Sequence, residues 1–181
     1  MDVDPESSIA IQIVLIVVLT LINAYFAASE MAIVSVNKSK IHRLSEEGNK
    51  KAKLVEKLLD QPTNFLSTIQ VAITLAGFFN SASAATGISK SFADVLKNWS
   101  VPYADTIAVV LITILISFIT LIFGELVPKR IALQKAESYS MFCAKPILVI
   151  SKIASPFIKI LSWSTKFILR IFGMADENVE E

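Results

Sequence analysis

The chain contains almost none of the side chains from which enzymes and metal centres are usually built. Its 181 residues include one cysteine, Cys143, and one histidine, His42. A disulfide framework or a Cys/His metal cluster therefore cannot form within one copy of the chain. Charged residues make up 18% of the sequence, whereas about a quarter are charged in a typical soluble domain. The net charge of +1 says nothing about nucleic-acid binding, because the lysines and arginines are not gathered on a soluble basic face.

Apolar residues dominate instead. They make up 54% of the chain, and the mean hydropathy is +0.61, which indicates a membrane protein. A helix needs about 20 apolar residues to cross a bilayer, whereas the strands of a membrane barrel are about half as long and alternate in polarity. We therefore predict an all-α membrane protein with three transmembrane helices, at about residues 9–36, 63–86 and 105–128.

The distribution of lysine and arginine predicts the orientation. Residues 1–37 contain neither, residues 38–57 contain seven and residues 129–170 contain eight. By the positive-inside rule, the N-terminus lies outside the cell membrane, and the C-terminus lies in the cytoplasm. The loop 37–62 is then cytoplasmic and forms short helices, in which His42 is more simply a solvated residue than a pH sensor. A cleaved signal is disfavoured because the first residues are acidic rather than basic: Asp2, Asp4 and Glu6.

The segment 138–174 is also apolar, but lysines recur along it every seven residues. A helix keeps these four lysines on one face: Lys145, Lys152, Lys159 and Lys166. We predict a long amphipathic juxtamembrane helix, in pieces started or bent by Pro146 and Pro156, whose lysines reach the phosphates of an anionic inner leaflet. A cytosolic helix packed on a partner domain and a fourth span are the alternatives. Residues 175–181 form an acidic tail.

Polar residues inside the spans need a further explanation. Glu125 lies near the end of the third span, one turn before Lys129. A carboxylate at the centre of a bilayer costs about 2.5–3.5 kcal/mol on insertion scales, and it usually faces the bundle interior, a partner or an ion path. Asn80 lies inside the second span, and Asn23 and Glu30 share a face of the first. Glu125 could instead pair with Lys129, and Glu30 could reach the interface; we favour a cation as the partner of Glu125.

The available ligands are oxygens of carboxylate, amide, hydroxyl and backbone carbonyl groups, the last freed near Gly124 because Pro128 has no N–H. Such ligands suit Mg²⁺, Ca²⁺ or Na⁺ rather than transition metals, and their spacing does not choose among the three. We interpret the stripes of small and hydroxyl residues in the second and third spans as packing faces more than as ligands. They are Ser67, Gln70, Thr74, Gly77, Ser81 and Ala84, and Thr113, Ser117, Thr120 and Gly124.

Over about residues 9–136, the sequence resembles the membrane domain (DUF21) of the CorC/CNNM family of magnesium transporters. Three segments carry the resemblance, in the same order: "NAYFAASEMAIVSVNKSKIHRL", "LSTIQVAITLAGFFNSASAA" and "LIFGELVPKRIAL". The resemblance implies a homodimer in which each protomer has three membrane helices and a juxtamembrane helix. It also implies Mg²⁺ export driven by inward Na⁺ movement. The cytosolic regulatory domains of the family do not follow in this sequence, so we expect an isolated membrane domain.

The resemblance also implies the site residues. It assigns the metal site to Ser29, Asn80, Glu125 and the carbonyl of Gly124, and the ion path or secondary positions are Glu30, Asn23, Thr74 and Ser83. Straight helices would leave about 10 Å or more between Asn80 and the side chains of Ser29 and Glu125. We therefore expect longer spans or a break near Gly77 or Pro128. A membrane-bound Mg²⁺ sensor without transport is the alternative function. No enzyme is indicated, because the spans contain no Ser/His pair and no paired aspartates.

Overall fold

The computed structural model describes residues 5–172, without the side chains of residues 5–8 and 86, and every regular element in that range is helical. The predicted all-α membrane protein is thus confirmed. Asp2, Asp4, the side chain of Glu6, the end of the segment 138–174 beyond residue 172, and the acidic tail 175–181 lie outside the described residues. The elements are α1 (Pro5–Ser35), α2 (Lys38–Glu46), α3 (Lys50–Leu59), α4 (Pro62–Thr86), α5 (Ile88–Asn98), α6 (Ala104–Leu121), a π-helical turn (Ile122–Leu126, the π turn), α7 (Val127–Gln134) and α8 (Ala136–Ile171).

Within residues 5–172, four helical stretches are long and apolar enough to cross a membrane, which makes the chain a multi-pass membrane protein. They are Ile9–Ser35, Pro62–Asn98, Ala104–Gln134 and Ala136–Ile171. The fourth is the segment predicted as an amphipathic juxtamembrane helix. Its lysines are exposed, but their spacing leaves long apolar faces, so length and composition alone do not separate a surface helix from a span. The count of three spans stays a prediction.

Helix α1 packs against α4, α7, α8 and the π turn. Small residues permit these close approaches, because they let helix backbones come together. Ala28 and Ala32 of α1 pack on Ala132 of α7. Nearer the other end of α1, Ile16 packs with Ala84 of α4 and Ile112 of α6. Helix α1 therefore contributes to the contacts at both ends of the bundle.

Helices α2 and α3 form a hairpin beneath this bundle. Asn37 and Asn49 cap them, because each side-chain oxygen accepts a hydrogen bond from a backbone N–H of the first turn. Gly48 joins the helices with φ +91, a conformation that residues with a Cβ rarely adopt. The hairpin, α1, α4 and α8 share one apolar core. Its largest fully buried side chains include Ile33, Ile41, Val55, Ile69 and Ile147.

Helix α8 is continuous, although it contains Pro146 and Pro156. These prolines therefore do not start separate pieces, and a bend at either of them stays a prediction. A proline inside a helix removes one backbone hydrogen bond, but the buried contacts of α8 hold its first half against the core despite this loss. Ser140, Cys143 and Ala144 are buried there. Helix α8 thus begins as part of the bundle core and continues as a helix with mostly exposed residues.

Candidate cation site

A cavity of about 350 Å³ lies between α1, α4, α6 and the π turn. It is lined by four residues that the sequence assigned to the site or to the ion path: Asn23, Thr74, Asn80 and Glu125. Residues from all three predicted spans thus meet at one place. The other lining residues are Ile73, Gly77, Phe78, Ser81, Ile116, Ser117, Thr120 and Leu121.

Asn80 is held in one orientation by hydroxyl groups on two neighbouring helices. Its side chain is 2% exposed, and its amide nitrogen donates to Thr20 Oγ1 at 3.1 Å and to Thr120 Oγ1 at 2.7 Å. Thr20 in turn donates to the carbonyl of Ile16, so its oxygen is placed to accept. Both amide protons are used, and Asn80 Oδ1 has no hydrogen-bond partner among the described residues. The site therefore contains a buried, oriented and unpaired carbonyl oxygen.

Asn23 is oriented in a similar way by the backbone of the π turn. Its amide nitrogen donates to the carbonyl oxygen of Gly124 at 3.0 Å. That carbonyl is available because Pro128, four residues later, has no N–H to donate to it. Asn23 is 5% exposed, and its Oδ1 also lacks a partner within residues 5–172. A second unpaired amide oxygen thus belongs to the residues that line the cavity.

The π turn explains how Glu125 reaches the cavity. The N–H of Val127 bonds to the carbonyl of Ile122, five residues back, so the helix carries one extra residue in this turn. The π turn lies just before Pro128, one of the two places where a break was expected if the spans were not longer, whereas Gly77 lies within the continuous helix α4. Gly124 permits a close approach to α1, because a Cβ at this position would lie 3.2 Å from Asn23 Nδ2.

Glu125 does pair with Lys129, contrary to our expectation of a cation alone. Lys129 Nζ lies 2.8 Å from Glu125 Oε1 and 3.2 Å from Glu30 Oε2. The physical reason is the spacing of four residues, which places Glu125 and Lys129 on one helix face. Because α7 packs on α1, Glu30 joins the same group. Glu125, which lines the cavity, therefore shares the ammonium of Lys129 with Glu30.

Ser29 does not line the cavity, in contrast to the sequence-based assignment. Neighbouring residues on an α-helix point about 100° apart, so Ser29 leaves the face that Asn23 and Glu30 share. Its buried hydroxyl donates to the carbonyl of Tyr25 at 2.7 Å. Ser83, the other residue assigned to the path, is half-buried and is not among the lining residues either. The role of both residues at an ion stays a prediction.

Sequence reasoning missed the residues that orient the amides. Thr20 was not singled out, although it lies three residues before Asn23 and therefore on nearly the same face. Thr120 was interpreted as part of a packing stripe, yet it accepts a hydrogen bond from Asn80. Thr74, Gly77, Ser81 and Ser117 of the same stripes line the cavity. Helical spacing identifies such a face, but it does not tell which neighbour the face meets.

The donor set consists mainly of neutral oxygens. In the part of the chain that the structure describes, no group of three or more His, Cys, Asp or Glu side chains could hold a metal ion. The residues that line the cavity carry two amide oxygens, several hydroxyls and the Glu125 carboxylate. Oxygen ligands of this type bind hard cations, which retain waters where protein ligands are few.

Nearly the whole chain is similar to known proteins. The family profile described as "Cyclin M transmembrane N-terminal domain" matches residues 14–181. A UPF0053 protein of Synechocystis is 36% identical over 174 residues, covering 95% of this chain and 39% of its own length. UPF0053 protein YhdP of Bacillus subtilis is 34% identical over 173 residues, covering 94% of this chain and 38% of its own length.

A third relative has a functional name. The "Polyamine export protein" of Haemophilus influenzae is 28% identical over 183 residues, covering 92% of this chain and 41% of its own length. The chain thus spans about two-fifths of the length of the curated relatives it matches.

Proposed function

The chain belongs to the family of cyclin M transmembrane N-terminal domains, and from that premise we propose that it is the membrane domain of a transporter that exports Mg²⁺ in exchange for Na⁺. The observation that carries the proposal is that Asn23 and Asn80, two of the residues that line the cavity together with Glu125, each carry a buried amide oxygen without a hydrogen-bond partner among the described residues. Export by the relative from Haemophilus influenzae supports a transport role.

The two unpaired oxygens are the strongest argument for a cation. A buried acceptor without a partner costs about 1–3 kcal/mol, and native proteins leave few such atoms without a water or an ion. Donated hydrogen bonds fix both amides with their nitrogens turned to protein atoms. The group left without a partner on each side chain is the Oδ1 oxygen, which is the negative end of the amide dipole. A cation, or a water bound to one, would give these oxygens a partner if small side-chain movements open them to the cavity that Glu125 lines.

The volume of the cavity suits a cation that keeps its waters. Mg²⁺ is six-coordinate and dehydrates reluctantly, and six waters of about 30 Å³ each occupy about 180 Å³. The cavity of about 350 Å³ is larger. Mg²⁺ would therefore enter hydrated and exchange some waters for amide and carboxylate oxygens. Volume alone does not separate Mg²⁺ from other small cations, so this choice rests on the family.

We further propose a homodimer in the plasma membrane, with the N-terminus outside, the C-terminus in the cytoplasm and three crossings per protomer. Phe78 and Leu121 line the cavity and are also exposed, so a second protomer or lipid would cover that side. Helix α8 would then lie along an anionic inner leaflet with its exposed lysines toward the phosphates.

A polyamine is the second candidate cargo, and one contact favours it. The primary ammonium of Lys129 lies between Glu30 and Glu125, so this pair of carboxylates accepts the chemical group that polyamines carry at their ends. The name of one relative points the same way. The two cargoes differ in charge density, and they bind differently as a result. Mg²⁺ can bind several oxygens at once, whereas an alkylammonium donates individual hydrogen bonds.

Proteoliposomes test the proposal. The purified chain is reconstituted with a Mg²⁺ indicator inside, and flux is followed with and without a Na⁺ gradient. Asn80→Leu and Glu125→Gln should each lower Mg²⁺ flux by about tenfold or more, at least the loss seen when a metal's supporting group is removed. Gln70→Leu is the matched control, because Gln70 is an exposed amide on the same helix and does not line the cavity.

Each alternative has its own outcome in this assay. Spermidine flux without Mg²⁺ flux would replace Mg²⁺ by a polyamine. Mg²⁺ binding without any flux would leave the sensor function. Equal flux for wild type, Asn80→Leu and Glu125→Gln would mean that this cavity is not the transport site.

A further inference from the structure

Lys129 occupies a position that is unusual for a lysine at the end of a membrane helix. Its ammonium does not extend away to solvent: it contacts Glu125 of the π turn and Glu30 of α1 at 2.8 and 3.2 Å. The three side chains are only 25%, 33% and 24% exposed, respectively. Lys129 thus holds a part-buried position between two carboxylates, one of which belongs to Glu125, a residue that lines the cavity.

The charges of this group conflict with cation binding at Glu125. A cation that binds Glu125 next to Asn23 would meet the ammonium of Lys129 a few ångströms away. Like charges at that distance repel strongly in a part-buried site, where water screens them less than in bulk. Glu125 can therefore bind either Lys129 or the cargo firmly, but not both at once.

We propose that Lys129 is a tethered competitor for the transported cation, which neutralises Glu30 and Glu125 between transport events and must leave them when cargo binds. This inference rests on the proposed function, since it concerns the same site. Lys129 has the means to move: its stem is long and flexible, and the turn that precedes it contains Pro128. The same ammonium returns to the carboxylates as cargo leaves, and its return favours release.

The competitor solves a general problem of ion transport. A site must bind an ion well enough to admit it and weakly enough to let it go. Two carboxylates and two amide oxygens without a counter-charge would hold a divalent cation too firmly for rapid release. Lys129 therefore determines the affinity of the site and the rate of turnover, without being a ligand itself.

Removal of the ammonium gives the first test. Lys129→Met keeps the length of the side chain and loses its charge. We expect the apparent Kd for Mg²⁺ and the half-saturation of flux to fall by about tenfold, which is within the usual range of coupling between two binding events. The maximal rate of flux should fall as well. A lysine that only stabilises the fold would not give tighter binding with slower turnover.

Two variants serve as controls. Arg130→Met removes a cation from the neighbouring exposed position, and it should leave Kd within about twofold of wild type, as expected for an exposed charge. Lys129→Arg keeps the charge and should therefore not tighten Mg²⁺ binding as Lys129→Met does. If Lys129→Met does not fold, the comparison is Glu30→Gln against Glu30→Gln/Lys129→Met, in which the carboxylate and the ammonium are removed together. The double variant should bind Mg²⁺ more tightly than the single one.

The unmodified protein gives a second, independent readout. An amine-acetylating reagent and mass spectrometry measure how accessible Lys129 is with and without MgCl₂. Acetylation of Lys129 should rise severalfold when Mg²⁺ binds, while the exposed Lys135 should not change. Unchanged labelling of Lys129 at saturating Mg²⁺, or weaker Mg²⁺ binding by Lys129→Met, would overturn the inference.

Failure of the proposed function is distinguishable from failure of this inference. If wild type binds no Mg²⁺ but binds spermidine, the choice of Mg²⁺ is wrong, and the same variants with spermidine decide the role of Lys129. If neither probe binds to wild type or to Lys129→Met, both conclusions are wrong.

Discussion

Substitution of Gly124 by alanine should weaken the cation site and leave the protein folded. A Cβ built at Gly124 would lie 3.2 Å from Asn23 Nδ2, 3.3 Å from Thr120 Cγ2 and 3.4 Å from Thr20 Cγ2. These are the side chains that orient the two unpaired amide oxygens. Asn23 is fixed by the Gly124 carbonyl, and both threonines accept from Asn80. One added methyl group therefore presses both on Asn23 and on the two threonines that orient Asn80.

The effect on stability is the sum of opposed contributions. Alanine is favoured over glycine in a helix by about 1 kcal/mol. Overpacking a close contact costs about 1–3 kcal/mol, and the hydrogen bond from Asn23 is worth about 1 kcal/mol if it breaks. The free energy of unfolding should thus fall by about 1–3 kcal/mol, which leaves the protein folded.

The expected loss of binding free energy, about 1.4 kcal/mol for a tenfold change in Kd, is of similar size. The amide of Asn23 must move by a few tenths of an ångström to make room, whereas metal sites tolerate errors of about 0.2 Å in ligand distance. We expect the Kd for Mg²⁺ to rise by about tenfold, the lower end of what loss of a supporting group causes. Isothermal titration with MgCl₂ and thermal unfolding of the same detergent-solubilised sample measure both quantities.

Gly77→Ala is the matched control. Gly77 lines the same cavity, but a Cβ there would meet nothing within 4 Å. This variant should bind Mg²⁺ as wild type does and should be more stable by up to about 1 kcal/mol. If Gly124→Ala keeps the wild-type Kd, or if Gly77→Ala weakens binding equally, the contact between Gly124 and Asn23 does not orient the site.

Two further predictions concern the ends of the bundle. A Cβ at Gly87 would overlap the side-chain amide of Gln12, so Gly87→Ala should lower the Tm, and Gln12→Ala in the same chain should restore most of the loss; no rescue would mean that another contact is responsible. In the hairpin, the hydrogen bond to Glu56 and the charge of Glu46 raise the pKa of His42 above 6.5, while Ser45 and His42 lower the pKa of Glu56 below 4.5. The contribution of His42 to the free energy of unfolding is complete below pH 6.5, and it is lost as pH rises through the raised pKa. The contribution of Glu56 is present above pH 4.5, and it is lost as pH falls through the lowered pKa. The pair should therefore hold α2 and α3 together best between about pH 4.5 and 6.5. NMR titration of His42, the single histidine of the chain, should give a lower pKa in Glu56→Gln, and an equal pKa in both proteins would exclude the contact in solution.

Part of the cavity lining could be predicted from the sequence, because membrane burial makes polar residues conspicuous. Asn23, Asn80 and Glu125 stand out in apolar spans, and all three line one cavity, whereas Ser29 and Gly124 do not. A break near Pro128 was one of three expectations, beside longer spans and a break near Gly77. A one-dimensional pattern thus identified which residues are costly, but it left open where the helix changes.

The partners of these residues could not be predicted in the same way. Ser29 is adjacent to Glu30 in sequence, but 100° of helical rotation turns its side chain off the face that Glu30 and Asn23 share. Its hydroxyl donates to the backbone carbonyl of Tyr25, one turn back on the same helix. The ion pair of Lys129 and Glu125 was foreseen as an alternative, whereas its extension to Glu30 depends on the packing of α7 on α1. The fate of α8 depends on its surroundings, because a lysine every seventh residue is compatible with both a surface helix and a fourth span.

The placement of charge along α1 implies an order of events for the proposed transport. Glu30, Asn23 and Thr20 lie on nearly one face, ten residues or about 15 Å from end to end. Negative charge is present at the Glu30 end, where Lys129 neutralises it, and only neutral donors are found at the Thr20 end, where Asn80 is held. A cation entering from the charged end would first displace Lys129 and then pass Asn23 to reach Asn80. Because Glu125 lines the cavity and also contacts Lys129, the π turn would couple release of the ammonium to capture of the ion in the proposed transport.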